Sequence, residues 1–462
     1  MTESEQDTQP ESVRDRAPGL GRARAVSGLG SRRGLWLLFL VAFTLRMAFL
    51  SILGSTADAE SGVAWDWGWE TACVAETILD GEPYGDPWGK GTGASAWLTP
   101  VYPGVVAACM FLGGGVTPTA ALLLFGLHAL LSAATCVLLV ALGRALALAQ
   151  VGLLAGWAFA LYPASLWNAV TNVWDTTMIG FAVTGFFVLL LRAGATASGR
   201  PGAGACARLG GAFGALLLIN PAPLGLLPGV LLYLALRPGK GLSMPRVGAF
   251  LAGALLICSP WMVRNQVVLG TPILRSNLGI EFHVGNNDQA NGRHQTAFHP
   301  SHSERELALY RELGEVAYAR ASMDTALGWM GENPGRAARL ILRRVQIFWV
   351  GESPLNDPRT SGSTRAADDP KAWIKWAFHS LSGLLALAGL FTFRRRTAEG
   401  LLLRSTLLLF PVPYYLTHVM ERYRFPIDPL LVFLDVWVIL VLVQYCRSSR
   451  SAAALPGDIS RR

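Results

Sequence analysis

The stretch WDWGWETACVAETILDGEPYGDPW, Trp65 to Trp88, carries Asp66, Glu70, Glu76, Asp80, Glu82 and Asp86 and no Lys or Arg. It comes soon after an apolar run, Leu35 to Leu53, in a chain whose formal charge is +8 at pH 7. Where this acid lies relative to a bilayer decides the topology, and with it the fold.

The chain has 462 residues, of which 52% are hydrophobic and only 15% charged, with a mean hydropathy of +0.38. Those values lie outside the usual soluble range and describe an all-α polytopic membrane protein. Apolar segments recur at 35–53, 119–142, 151–167, 176–191, 209–219, 222–236, 247–263, 373–393, 401–416 and 426–445. That makes about ten transmembrane helices, against a hydrocarbon core of about 30 Å. The eighth to tenth follow a long polar stretch. The motif NPAP, Asn220 to Pro223, breaks the fifth from the sixth, as a tight hairpin or as a kink.

Basic residues orient the chain. Arg32, Arg33, Arg144, Arg192, Arg200, Arg208, Arg237, Lys240, Arg246 and Arg394 to Arg396 all fall on the cytoplasmic side of a ten-span arrangement. The expected organisation is a disordered cytoplasmic tail, 1–33, and a membrane catalytic region, 34–263, that includes an outer loop, 55–118. A large outer loop, 264–371, the last membrane helices, 372–446, and a second cytoplasmic tail, 447–462, complete it. The acidic segment then lies outside, with Lys90 alone against it between 55 and 97. The apolar run from Val101 is only about 15 residues long, short for a span, and is read as a helix at the outer interface.

Within the acidic segment, ETACVAETILDG has helical character, and Gly81 suits its C-terminus. Asp66 and Glu70 stand four apart, one helical turn, where two carboxylates repel and one pKa rises. The spacing alone fits a solvated acidic loop as well as an acid/base site.

The rhythm D-x-x-x-[YE]-x-x-x-A-x-x-[IL]-x-x-G, ending on Gly81, resembles the lipid-linked-sugar-dependent glycosyltransferases of the C superfamily, such as protein O-mannosyltransferases and aminoarabinose transferases. The stretch TPVYPGVVAACMFLGG is similar to that family's juxtamembrane helix, NVWDTTMIGF to its second outer loop, and HVMERYRFPIDPLL to its last outer loop. The resemblance places Asp66 on the catalytic aspartate and Glu70 where many members have an aromatic residue, so either could be the base. Asp175 matches a second family carboxylate, and it also suits a helix N-cap. Where the family often has a basic residue before the juxtamembrane proline, this chain has Thr99.

What the resemblance implies is transfer of a sugar from a polyprenyl-phosphate donor to a glycan, lipid or protein acceptor, on the outer face of the plasma membrane. A general base and fixed cations would serve that inverting displacement, with no cofactor, no metal and no nucleic acid. Arg264, Arg422 and Arg424 are the candidate phosphate ligands, since a guanidinium pairs bidentately with phosphate oxygens. Asn277, Asn286 and His418 are candidate sugar or acceptor contacts, with Asn277, Asn286 and Asn287 equally suited to turns. His294, His299 and His302 match no strong zinc spacing. The segment PGRAARLILRRVQIFWVG reads as an amphipathic helix lying on anionic headgroups. The six cysteines form no CxxC, and no nucleotide-binding glycine loop is present. A transporter or lipid flippase would instead use carboxylates near the midplane. A membrane scaffold would simply present the large loop to a partner.

Overall fold

The computed structural model describes residues 30–53, 68–194, 201–236, 244–356, 368–393 and 397–453. Asp66, most of both expected tails and the basic residues Arg200, Arg237, Lys240 and Arg394 to Arg396 lie outside the described residues. Among those described, the secondary structure is helical apart from one isolated antiparallel bridge between Gly85 and Ala94. In chain order the helices are α1 (Arg32–Leu53), α2 (Glu70–Leu79), α3 (Val101–Gly113), α4 (Pro118–Ala145), α5 (Ala149–Leu161) and α6 (Pro163–Thr171). Then come α7 (Thr176–Gly194), α8 (Ala203–Ile219), α9 (Leu227–Leu236), α10 (Met244–Leu269), α11 (Leu278–Gly285) and α12 (Glu304–Leu313). The last six are α13 (Glu315–Glu332), α14 (Pro334–Val350), α15 (Pro370–Thr392), α16 (Ala398–Leu409), α17 (Val412–Leu416) and α18 (Asp428–Ala453).

This is a polytopic all-α membrane protein. Each of the ten apolar segments coincides with a helix or a broken pair of helices. Six, namely α1, α4, α7, α10, α15 and α18, are long and apolar enough to cross a bilayer, and α5 with α6 makes a seventh when the bent pair counts as one span. The others are shorter: α8, the 222–235 segment, and α16 with α17, which Pro411 interrupts.

Proline and glycine set the breaks and the contacts. Pro163 holds Tyr162 in an extended conformation, φ −66° and ψ 118°, so α5 and α6 meet at 52°. The carbonyls of Phe159 and Ala160 freed there accept hydrogen bonds at 3.3 and 3.4 Å from Arg46, buried in α1. At NPAP the chain makes a turn, not a kink. Gly225 packs on Leu409 and Phe410 while Gly229 packs on Leu402 and Ser405, so α9 runs antiparallel to α16 and returns across the bundle. Gly210 and Gly253 bring α8 and α10 into backbone contact: a Cβ on Gly210 would lie 1.8 Å from the Phe250 carbonyl oxygen. Such small-residue seams let membrane helices approach closely.

One large core joins α1, α4, α5, α7, α8 and α18 with parts of α14 to α16. A second lies where α2 and α3 pack on α4 and the start of α7, and a third joins Trp88 and Trp97 to α11, α12 and α13. These two roof one end of the bundle. α14 departs from the expectation of a helix on headgroups. Its apolar residues Leu340, Ile347, Phe348 and Trp349 are buried against α15 and α17, and Arg344 is buried with them, donating to the carbonyls of Gly285, Tyr415 and Leu416. Protein covers the face assigned to lipid.

Candidate active site

The site lies at the roofed end, where four loop segments converge on the start of α7. Gly68, with φ +74°, presses on Val173; a Cβ there would lie 2.3 Å from the Val173 carbonyl oxygen, so only glycine fits. Trp69 follows with φ +29°, its ring 5.4 Å from that of His302. This contact sets the beginning of α2, with Glu70 at its first position, where its charge acts on Glu281 and His302. Asp66 lies outside the described residues, two positions before Gly68.

Asp175 accepts a 2.7 Å hydrogen bond from Asn220 in the NPAP turn. Burial raises its pKa, opposed by the Asn220 amide and by the charges of Arg275 and Arg422. Arg422 is the central cation. Its guanidinium sits 4.3 Å from the centroid of the Trp174 ring, and its charge acts on Asp175, Glu281, His294 and His418 together. Arg275, anchored by a 2.6 Å hydrogen bond from its Nε to the Trp97 carbonyl, acts on Asp175 and Glu281 as well. Glu281 on α11 is pushed up to about 7, by burial first and then by the charge of Glu70, against the pull of Arg275, Arg422 and Asn277. Tyr414 and Tyr423 stack at 4.5 Å and close the cluster on one side. Three carboxylates and two guanidinium groups thus share one partly dry site, the arrangement that tunes acid/base groups toward neutral pH.

Of the residues expected from the sequence, Glu70, Asp175, Arg422, Asn277 and His418 come together here. Asn277 donates at 3.1 Å to Glu281 Oε1, and His418 Nε2 meets the Tyr423 hydroxyl at 2.8 Å. Arg424 does not join them. It is 1% exposed, and its nitrogens donate to Asp428 at 3.0 Å, the His379 carbonyl at 2.8 Å and the Tyr162 hydroxyl at 3.1 Å, so they are turned into the bundle. Arg264 is likewise used structurally: it donates to the Ser95 and Tyr84 carbonyls and lies over the rings of Tyr84 and Trp261, clamping the 84–95 loop onto α10. Asn286 is fully buried and donates to the Phe282 and Leu416 carbonyls, leaving nothing for a sugar. Thr99 donates to the Ile219 carbonyl at 2.8 Å. Cys73 and Cys109 are both buried free thiols.

Arg275, Glu281 and Asn220 are site residues that the sequence did not single out. Glu281 and Arg275 lie within the run RSNLGIEFHVGNN, of which the sequence offers only the asparagines as candidates, and Asn220 enters there only as part of a helix break. A further group forms across three segments: donor atoms of Glu281, His294 and His418 all lie within 4.8 Å of one another. His299, by contrast, is buried between Trp88 and Trp97, and its Nδ1 accepts from the Ser301 amide at 3.1 Å.

The oligosaccharyltransferase of Archaeoglobus fulgidus, in a structure tethered to an acceptor peptide containing the NVT sequon, aligns with a TM-score of 0.50 at 12% sequence identity. The alignment covers 91% of this chain and 51% of the other. The chain shares its fold with that oligosaccharyltransferase. The chain spans about half the length of that oligosaccharyltransferase. The same enzyme in complex with an inhibitory peptide and a dolichol-phosphate aligns at a TM-score of 0.49, 12% identity, over 92% of this chain and 52% of that one. ArnT from Cupriavidus metallidurans bound to undecaprenyl phosphate aligns at 0.40 and 14% identity, over 88% and 78%. No protein-family model and no curated protein matches the sequence. In this fold the carboxylate and guanidinium cluster lies among the loops at one end of the bundle.

Proposed function

We propose that this chain is an integral-membrane glycosyltransferase that moves a sugar from a polyprenyl-phosphate donor to an acceptor hydroxyl or amine at the outer face of the membrane. The observation that supports it best is the packing of Gly68 on Val173. It brings the start of α2, with Glu70 at its first position, against the segment carrying Asp175, with Arg422 and Arg275 alongside.

In this reading Asp66, or Glu70, takes the proton of the incoming hydroxyl or amine. The new bond forms at the anomeric carbon from the face opposite the phosphate, while the bond from that carbon to the phosphate oxygen breaks. The electron pair leaves with the phosphate, and the product is polyprenyl phosphate. Arg422 and Arg275 meet the charge on the departing phosphate, a contribution made in a site that holds its dipoles fixed. Asp175, held by Asn220, orients the acceptor. Arg424 and Arg264 maintain the walls and carry no phosphate contact.

The test is to incubate detergent-purified protein with a panel of polyprenyl-phosphate sugars and to follow release of free polyprenyl phosphate. Release that requires Asp66 and an added acceptor supports the reading. Absence of release from every donor, in protein that melts cooperatively, overturns it. Labelling of a cysteine placed at exposed Glu312 by an impermeant thiol reagent on intact cells tests the outer-face assignment.

A further inference from the structure

We propose that Trp174 is a positioning residue: its indole holds Arg422 by the face of the guanidinium and leaves the N–H edge for an anionic ligand, the donor phosphate. The role rests on the reading of Arg422 as the cation that meets that phosphate. Trp174 is the residue that aims it.

Trp174 sits in the middle of three residues that each meet a different segment. On one side the Val173 carbonyl lies against Gly68, and on the other Asp175 accepts from Asn220 at 2.7 Å. With both neighbours held, the ring has a fixed place just before α7. Arg422 reaches it from the 3₁₀ turn Glu421–Arg424, and its Cζ lies over the ring, 4.3 Å from the centroid. At that distance the guanidinium is attracted by the negative face of the indole, the strongest such face among the aromatic side chains.

What Arg422 lacks is a carboxylate of its own. Among the described residues it forms no ion pair: its neighbour Glu421 is taken by Lys375, and Asp428 by Arg424. Asp175 and Glu281 feel its charge without pairing with it, and the Tyr423 hydroxyl accepts from it. The other arginines nearby are used differently. Arg424 commits its nitrogens to Asp428, the His379 carbonyl and the Tyr162 hydroxyl. Arg264 also lies over rings, at 5.0 and 5.5 Å, but donates to the Ser95 and Tyr84 carbonyls.

The chemistry explains why a ring suits this place better than an acid. A carboxylate would take two N–H groups of the fork and cancel the charge, so an incoming phosphate would have to displace it. An aromatic face holds the same cation without using its edge. The charge stays, and the planar donors stay open to phosphate oxygens.

The experiment uses full-length protein in detergent and measures binding of undecaprenyl phosphate, with undecaprenol as the uncharged control. Trp174→Leu should weaken phosphate binding about tenfold, and Trp174→Phe, which keeps a poorer ring, about threefold. Undecaprenol binding should not change. The deciding readout is a double mutant: with Arg422→Ala already in place, Trp174→Leu should cause no further loss, because the ring acts only through that guanidinium. Thermal melting checks that each variant is folded; where Trp174→Leu does not fold, Trp174→Phe in both backgrounds carries the same comparison. Wild-type phosphate affinity in the folded Trp174 variants, equal loss with and without Arg422, or equal loss for undecaprenol overturns the role of Trp174. A loss in Arg422→Ala beside unchanged Trp174 variants overturns that role alone and leaves the phosphate reading of Arg422 standing. Wild-type affinity in Arg422→Ala, or no binding by the folded wild type, overturns both.

Discussion

Asn220 and Asp175 are joined by a 2.7 Å hydrogen bond that ties the turn between α8 and α9 to the start of α7. Burial raises the Asp175 pKa, and the Asn220 amide works against that by stabilising the carboxylate. If Asp175 acts ionised, transfer rises with pH through its pKa. Removing the amide in Asn220→Ala should therefore move the acid limb of the pH–rate profile to higher pH, with turnover recovering in alkaline buffer. An unmoved limb together with a lower melting temperature would assign the bond to stability alone.

Arg422 and Arg424 should separate cleanly. On the proposed function, Arg422→Ala removes a charge-assisted phosphate contact, worth roughly 1.5–3 kcal/mol, so donor affinity should fall about tenfold or more in a folded protein. Arg424→Ala leaves Asp428 buried without its partner, an effect of about 3–5 kcal/mol, and should chiefly lower the melting temperature. Donor binding and thermal melting on both variants check the division. Loss of donor affinity in a fully stable Arg424→Ala protein would exchange the two roles.

For the proposed base, Asp66→Asn should reduce transfer by roughly 10²–10⁴-fold with donor binding largely kept. Glu70→Gln should cost less, because Asp66 stands at the position of the family's aspartate and Glu70 where many members have an aromatic residue. Single-turnover assays with a fixed donor and acceptor decide the ranking. A dead Glu70→Gln beside a working Asp66→Asn would reverse it.

The seam between α8 and α10 gives a stability prediction. Gly210→Ala drives a methyl into the Phe250 carbonyl and should destabilise by about 1–3 kcal/mol or more, read as a lower melting temperature. Gly248→Ala, with open space around its Cβ, should be near neutral or better.

Much of the bundle was legible because helix signals are local. Runs such as 119–142 and 176–191 announce themselves by length and apolarity, and Pro163, Pro118 and Gly114 mark boundaries by backbone chemistry. The site was legible only where a segment was already under suspicion. Arg422 and Arg424 stand two positions apart in the 3₁₀ turn Glu421–Arg424, whose three residues per turn send them in different directions. Sequence spacing does not say which of them faces the cluster. Glu281, His294 and His418 come from α11 and two distant loops, so no spacing rule could join them. The covering of α14 was equally hidden, because an apolar stripe reads the same whether lipid or protein lies against it.

Arg46 bears on how the protein is made. Its guanidinium is fully buried in α1, and it is satisfied by Ser132 in α4 and by groups 113 to 119 residues further along, at the bend between α5 and α6. During synthesis α1 reaches the membrane long before those partners leave the ribosome. An arginine in a bare span costs about 2.5–3.5 kcal/mol on the insertion scale. That cost is relieved only once the bent pair is in place to receive the guanidinium. Truncation before α5 should therefore leave α1 less firmly held in the bilayer than it is in the full chain.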